Sequence, residues 1–199
     1  MTETPSPFDG PTSPADVRAR ILETASSLFY ARGVRAVGVD LVVEAAGVAK
    51  TSLYRHFRTK DDLVAAFLER EDADFWTHWD AVAAQHVESA QAELAAHLDW
   101  IGERAGRANY RGCPQINVAA EFPEADHPAR KVAAAHKQAL RARLLAIAQR
   151  LDAKCPDRLA GQLAVLINGA FVSSQVFEPG EAVPLLQSAA SALIAASRA

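Results

Sequence analysis

Residues 46–60 read AGVAKTSLYRHFRTK, and this stretch decides the fold. Gly47 divides two short segments whose apolar residues recur at helical spacing. The first segment spans 39–46 and the second spans 50–57. Glycine takes the left-handed conformation that commonly ends a helix. The pattern therefore predicts two short helices joined by a tight turn, which is a helix-turn-helix.

Capping residues predict further helices on both sides of the helix-turn-helix. Ser13 and Asp16 have the spacing of a capping box, and Gly33 suits the end of the helix that the box begins. Thr59 and Asp62 form a second such box at the start of a long helix. The first 60 residues are therefore predicted to form three helices and to lead directly into a fourth.

The rest of the chain also has helical composition. Alanine is abundant, Leu, Arg and Glu accompany it, and long alternations of β-branched or aromatic residues are missing. Glycine and proline clusters mark the breaks between elements. The predicted fold is all-α with about nine helices, the later ones at 60–87, 90–105, 114–121, 128–153, 157–176 and 182–198.

Charged residues are distributed unevenly along the 199-residue chain. The polar, proline-rich residues 1–12 predict a disordered arm rather than a signal peptide. Residues 32–60 carry six basic and two acidic groups, whereas residues 61–199 carry 13 basic and 18 acidic groups. We therefore expect a basic helix-turn-helix domain over 13–60 and a larger acidic helical domain over 61–199.

The second helix of the helix-turn-helix is predicted to face DNA. Val48, Leu53 and Phe57 can seat it on the domain, which leaves an outer face of Lys50, Thr51, Ser52, Tyr54, Arg55 and His56. In the major groove, an arginine can bond guanine while lysine or tyrosine holds phosphate. A cation in the first turn of a helix opposes the helix macrodipole and does not stabilise the helix. The position of Lys50 therefore favours a functional role over a stabilising one. The alternative is a solvated basic helix on an ordinary bundle.

A specific resemblance supports the DNA-binding interpretation. Residues 43–63, VEAAGVAKTSLYRHFRTKDDL, resemble the DNA-binding signature of the TetR/AcrR family of bacterial transcriptional repressors, A-x-x-A-G-V-S-x-G-x-L-Y-x-H/Y-F-x-S/N-K-E-x-L. The similarity covers about 14–65. It implies a repressor that a small-molecule inducer releases from a palindromic operator in double-stranded DNA. It also implies that the six outer-face residues contact DNA and that Lys60 contacts phosphate. Ala49 and Thr51 depart from the signature, where serine and glycine are usual.

The same resemblance implies a C-terminal domain that binds a ligand and dimerises. The helices at about 157–198 would form a homodimer, with small residues among their apolar positions. A pocket among helices four to eight is expected for an apolar or aromatic inducer, with a cationic group over the Trp faces as one alternative. Its candidate wall residues are Phe75, Trp79, Trp100, Tyr110, Cys113, Asn117, Phe122, His136, Asn168 and Phe171.

Other chemistries have weaker support. Cys113 could act as a nucleophile with His127 or His136, but no nucleophile motif surrounds it, so no enzyme activity is predicted. The histidines lack the close spacing of zinc ligands, so neither a metal nor a cofactor is predicted. Two pairs at i,i+4 spacing are typical of helix support, namely Asp74 with His78 and Glu93 with His97.

The remaining alternative is a helical ligand-binding or interaction module without DNA binding. It accounts for the acidic bulk of the chain but not for the local charge of +4 over 32–60. The two cysteines fit a reducing compartment, and no continuous apolar run approaches 18 residues. Together with the family resemblance, these features predict a cytoplasmic protein at the bacterial nucleoid, without a membrane span.

Overall fold

The computed structural model describes residues 13–198, which form nine α-helices and, within that range, no strand. The predicted arm over 1–12 lies outside the described residues. The helices are α1 (Pro14–Arg32), α2 (Val39–Ala46), α3 (Lys50–His56), α4 (Lys60–Gln85), α5 (Ala90–Ala105), α6 (Pro114–Glu121), α7 (Pro128–Arg150), α8 (Pro156–Ser173) and α9 (Ala182–Arg198). The all-α prediction with about nine helices is confirmed.

Both predicted capping boxes are present. The Ser13 hydroxyl accepts from the Asp16 amide at 3.2 Å, and the Asp16 carboxylate accepts from the Ser13 amide at 3.0 Å. Thr59 and Asp62 exchange the equivalent bonds, each at 3.0 Å. These bonds satisfy amide groups that have no partner inside the helix, and they set where α1 and α4 begin.

Two of the later helices end three residues earlier than the sequence predicts. The α7 helix stops at Arg150 rather than 153, and Asp152 then adopts a left-handed conformation with a φ of 55°. The α8 helix stops at Ser173 and continues as a short 3₁₀ turn, Ser174–Val176. A change of backbone conformation without a proline or glycine leaves little signal in the sequence.

The chain divides into two compact units, of which the first ends at Phe67 and the second begins at Leu68. The boundary predicted from the sequence lies seven residues earlier, between 60 and 61. The first two turns of α4 pack into the N-terminal unit because Leu63 and Val64 are fully buried there. The Phe67 ring lies 5.9 Å from the ring of Phe29 in α1. The polar capping box thus marks the start of a helix, whereas the apolar residues after it define the extent of the unit.

The second unit has a core built mainly from α5, α7, α8 and α9. Its fully buried leucine and isoleucine residues include Leu94, Leu98, Ile101, Leu140, Leu144, Leu163 and Ile167. Where α5 meets α9, Gly102 lies so close to Val183 that a Cβ atom at 102 would be 2.9 Å from the Val183 backbone nitrogen. This close approach requires glycine at 102.

One segment among the described residues, 156–176, is long and apolar enough to cross a membrane by composition, with a mean hydropathy of 1.3. It carries Asp157 and Arg158 in its first turn and packs against α7 and α9. Apolar core helices of globular domains have the same composition. The segment contributes to the core of the second unit.

Candidate functional site

The candidate nucleic-acid interface is the exposed face of α3. Leu53 is fully buried and Phe57, directly after the helix, is 3% exposed, so these two side chains seat α3 on the N-terminal unit. The opposite face carries the predicted contacts. Lys50, Thr51, Tyr54 and Arg55 are exposed, and Ser52 and His56 are half-buried. The structure therefore brings all six predicted residues together on one short helix.

The turn before α3 has the predicted geometry. Gly47 has a φ of 62°, and its amide donates to the carbonyls of Glu44 and Val43 at the end of α2. Ala49 precedes α3 and has no side-chain oxygen, so it accepts no hydrogen bond from the first amides of the helix. The positive end of the α3 dipole therefore has no side-chain cap from residue 49.

Lys50 has a partner that sequence reasoning missed. Its ammonium nitrogen lies 2.7 Å from a carboxylate oxygen of Asp40 in α2. This hydrogen bond and the charge of Asp40 raise the pKa of Lys50. Lys50 therefore does not simply oppose the macrodipole, because Asp40 offsets its charge. The two residues are ten positions apart, and only the folded turn reveals their contact.

Lys60 and Arg18 also have contacts within the N-terminal unit. The Lys60 ammonium donates to the Val34 carbonyl at 2.7 Å, which ties the start of α4 to the turn after α1. The Arg18 guanidinium lies 5.0 Å from the centre of the Phe57 ring, beside the end of α3. A phosphate contact by Lys60 stays a prediction. In such a contact the ammonium group would either bond both Val34 and the phosphate or exchange one for the other.

Only part of the predicted ligand pocket forms one cavity. Phe75, Tyr110, Cys113 and Phe171 line a small space in the second unit, together with Glu71, Arg104, Pro114 and Gln115. The volume is about 10 Å³, which is room for roughly one water molecule. The cavity is thus nearly closed in this structure, and an effector would need to open it.

The other six predicted pocket residues do not line this cavity. Trp79 is 2% exposed and stacks on His97 at 3.6 Å, and Phe122 stacks on His127 at 3.9 Å. The remaining four make separate contacts: Trp100 stacks on His78, Asn117 donates to the Arg111 carbonyl, His136 bonds the Asp72 carboxylate, and Asn168 accepts from Lys137. Large aromatic residues fit a core as well as a pocket, so residue type alone does not separate the two, and a ligand contact by these six residues stays a prediction.

Polar residues that the sequence did not single out line the cavity. The Gln115 amide nitrogen donates to the Leu68 carbonyl at 2.9 Å, while its oxygen, buried, has no hydrogen-bond partner among residues 13–198. Burial raises the pKa of Glu71, and Arg104 at 3.7 Å opposes that rise. An unpaired buried acceptor is costly, so the cavity favours a guest that donates a hydrogen bond.

A buried histidine lies beside this region in the second unit. His97 is fully buried, and burial lowers its pKa to about 4. Neither ring nitrogen has a hydrogen-bond partner in the described part of the chain, and Glu93 approaches only to 3.7 Å. The other carboxylate oxygen of Glu93 bonds Arg150. Within residues 13–198 no group of three or more metal-ligating side chains occurs.

The helix-turn-helix region matches the family model described as bacterial regulatory proteins, tetR family, over residues 21–67. Among curated proteins, the repressor KstR2 of Rhodococcus jostii is 33% identical over 86 residues, which is 43% of this chain and 42% of KstR2. The activator FasR of Mycolicibacterium smegmatis is 43% identical over 53 residues, which is 27% of this chain and 24% of FasR. The matches to both relatives thus cover less than half of their length.

The solved structures extend the similarity to 93% of the chain. A putative transcriptional regulator of this family from Streptomyces avermitilis, sav143, is 32% identical, with 93% of this chain and 98% of that chain covered and a TM-score of 0.76. This chain belongs to the TetR family of transcriptional regulators. SCO4454, a TetR-family regulator from Streptomyces coelicolor, is 27% identical, with 93% and 97% covered and a TM-score of 0.87. The family resemblance inferred from residues 43–63 is confirmed.

Proposed function

We propose that this TetR-family chain represses transcription in the bacterial cytoplasm by binding a palindromic operator on nucleoid DNA. The observation that carries the proposal is the outer face of α3, where the predicted contact residues lie opposite the buried Leu53. An exposed tyrosine, 44% accessible, and an exposed arginine on a short helix suit the major groove. The residues predicted to read DNA are Lys50, Thr51, Ser52, Tyr54, Arg55 and His56, with Lys60 at a phosphate.

The proposed operator is palindromic because the second unit offers a surface for a second copy of the chain. Val165, Val172 and Val176 are between 67% and 77% exposed on α8 and the turn that follows it. Leu185 on α9 is 49% exposed. Apolar residues at such exposure on two adjacent helices favour burial against a partner. A two-fold pair of chains would present two α3 helices to successive major grooves, about 34–36 Å apart.

Selection of duplexes from a random-sequence pool tests the proposal. The full chain should recover a palindrome whose half-sites are one helical turn apart, about 10 base pairs. Sedimentation should give a mass of twice 21.3 kDa for the free protein. Recovery of no preferred duplex would favour the interaction-module alternative. A preferred sequence without two-fold symmetry, bound by a monomer, would remove the dimer from the proposal.

A small molecule is proposed to release the DNA by entering the cavity near Phe75 in the second unit. The helix that carries Phe75, α4, begins at Lys60 in the N-terminal unit and could act as the lever between the two. The inducer must bind better to a state in which α3 cannot reach its half-site. For a tenfold loss of DNA affinity, this preference need be only about 1.4 kcal/mol.

Reciprocal titration tests the inducer proposal. An aromatic compound that donates a hydrogen bond should change the tryptophan fluorescence, because Trp76 and Trp100 lie 4.9 Å from the Phe75 ring. The same compound should weaken binding of the selected duplex, and the duplex should weaken binding of the compound by the same factor. A compound that binds tightly and leaves DNA affinity unchanged would contradict the lever.

A further inference from the structure

The ion pair between Asp40 and Lys50 is exposed, which limits what it does for stability. The two side chains are 82% and 52% accessible, and the nitrogen–oxygen distance is 2.7 Å. Ion pairs in such surroundings contribute little to folding because water and salt screen them. The pair nevertheless joins the N-terminal half of α2 to the first residue of α3, where DNA is proposed to lie. We therefore expect the ion pair to affect DNA binding rather than folding stability.

We infer that Asp40 is a specificity-determining positioning residue, which directs the Lys50 ammonium toward a base edge and cancels its attraction to phosphates of arbitrary sequence. This inference rests on the proposed DNA-binding function. Lys50 has three donor hydrogens, and the carboxylate takes one. The two that remain can reach an acceptor such as guanine O6 or N7 in the major groove.

The local charges explain why a lysine at this position needs a partner. The positive end of the α3 dipole repels an ammonium group on the first residue of the helix. Without a counter-charge, the flexible lysine would turn outward and pair with whichever phosphate is nearest. Phosphate contacts raise affinity for every sequence alike. With Asp40 in place, the pair is neutral overall and contributes a directed hydrogen bond rather than a free charge.

Three variants of the full chain separate these effects. Asp40→Asn keeps the shape of the side chain and removes its charge. Glu44→Gln removes the same charge from an exposed position one turn later on α2, outside the ion pair of Asp40 and Lys50. The double variant Asp40→Asn with Lys50→Met restores the neutral balance without the ammonium. Two probes are used: the tightest duplex that the parent selects from a random pool, and a shuffled duplex of the same length and composition.

The inference predicts that Asp40→Asn binds the shuffled duplex more tightly and discriminates less between the two duplexes. Its salt slope on the shuffled duplex should steepen by about one ion. Its gain over the parent should therefore shrink roughly three- to fourfold between 50 and 200 mM salt. Glu44→Gln should change binding of both duplexes by the same factor. The double variant should bind the shuffled duplex like the parent and the selected duplex more weakly.

Three results would overturn the inference. Equal discrimination by Asp40→Asn and Glu44→Gln would show that only total charge matters. Parent-like binding of the selected duplex by the double variant would show that Lys50 reads no base. A parent that selects no duplex at all would overturn the proposed function and this inference together. Thermal melting of each variant, expected to match the parent, shows that the differences arise in binding.

Discussion

Replacing Leu53 with alanine is expected to destabilise the N-terminal unit by about 2–5 kcal/mol, which is the cost of a large cavity in a packed core. Leu53 is fully buried, and α3 has only seven residues. A helix this short is not stable alone and depends on the side chains that seat it. Urea unfolding followed by far-UV circular dichroism measures the loss.

Arg55→Ala is the matched control two residues away on the exposed face of the same helix. It should leave the unfolding curve unchanged and weaken binding of the selected duplex by about 1–3 kcal/mol, the usual range for one arginine–base contact. An unfolding curve of Leu53→Ala that matches the parent would contradict its core role. Binding of Arg55→Ala at parental strength would identify Arg55 as a solvated charge.

Acidification from pH 6.5 to pH 4 is expected to destabilise the second unit by about 3 kcal/mol through His97 alone. Burial holds the pKa of His97 at about 4, whereas the unfolded side chain titrates near its ordinary value of 6.5. Between these values the unfolded chain binds the extra proton. The stabilisation is therefore complete above pH 6.5 and is lost as the pH falls toward 4. Burial also lowers the pKa of His136, which acts in the same direction.

A variant isolates the contribution of this one histidine. His97→Phe keeps a ring against Trp79 and removes both unpartnered nitrogens. Urea unfolding by tryptophan fluorescence at several pH values should show a shallower decline for His97→Phe than for the parent. Identical pH slopes for parent and His97→Phe would show that the buried ring is not the source of the acid sensitivity.

The residues that could be predicted from the sequence are those governed by local rules. The capping boxes at Ser13 and Thr59, and the left-handed Gly47, depend on partners within a few positions. The exposed face of α3 follows from helical periodicity once Leu53 is assigned to the core. Family membership followed from the same stretch, because its distinguishing residues are close together in the chain.

Contacts between distant positions could not be predicted in the same way. Asp40 meets Lys50 only after the turn has formed, and nothing in its neighbourhood marks it as a partner. The small cavity combines residues from α4, α5, α6 and α8, including Gln115 and Arg104. Trp79 and Trp100 are predicted to line an inducer pocket because large aromatic residues suit one, and sequence alone does not show that Trp79 lies flat against His97 in the interior.

The contact between α5 and α9 has a consequence for how mutations spread through this protein. At position 102 even a single methyl group would meet the backbone of Val183, 2.9 Å away, and a helix backbone yields only by moving as a whole. α9 also carries the exposed Leu185, part of the surface proposed to meet a second chain. A genetic screen for loss of the proposed repression should therefore recover changes at Gly102, a residue outside both the helix proposed to read DNA and the cavity wall, because they displace the helix through which two chains are proposed to associate.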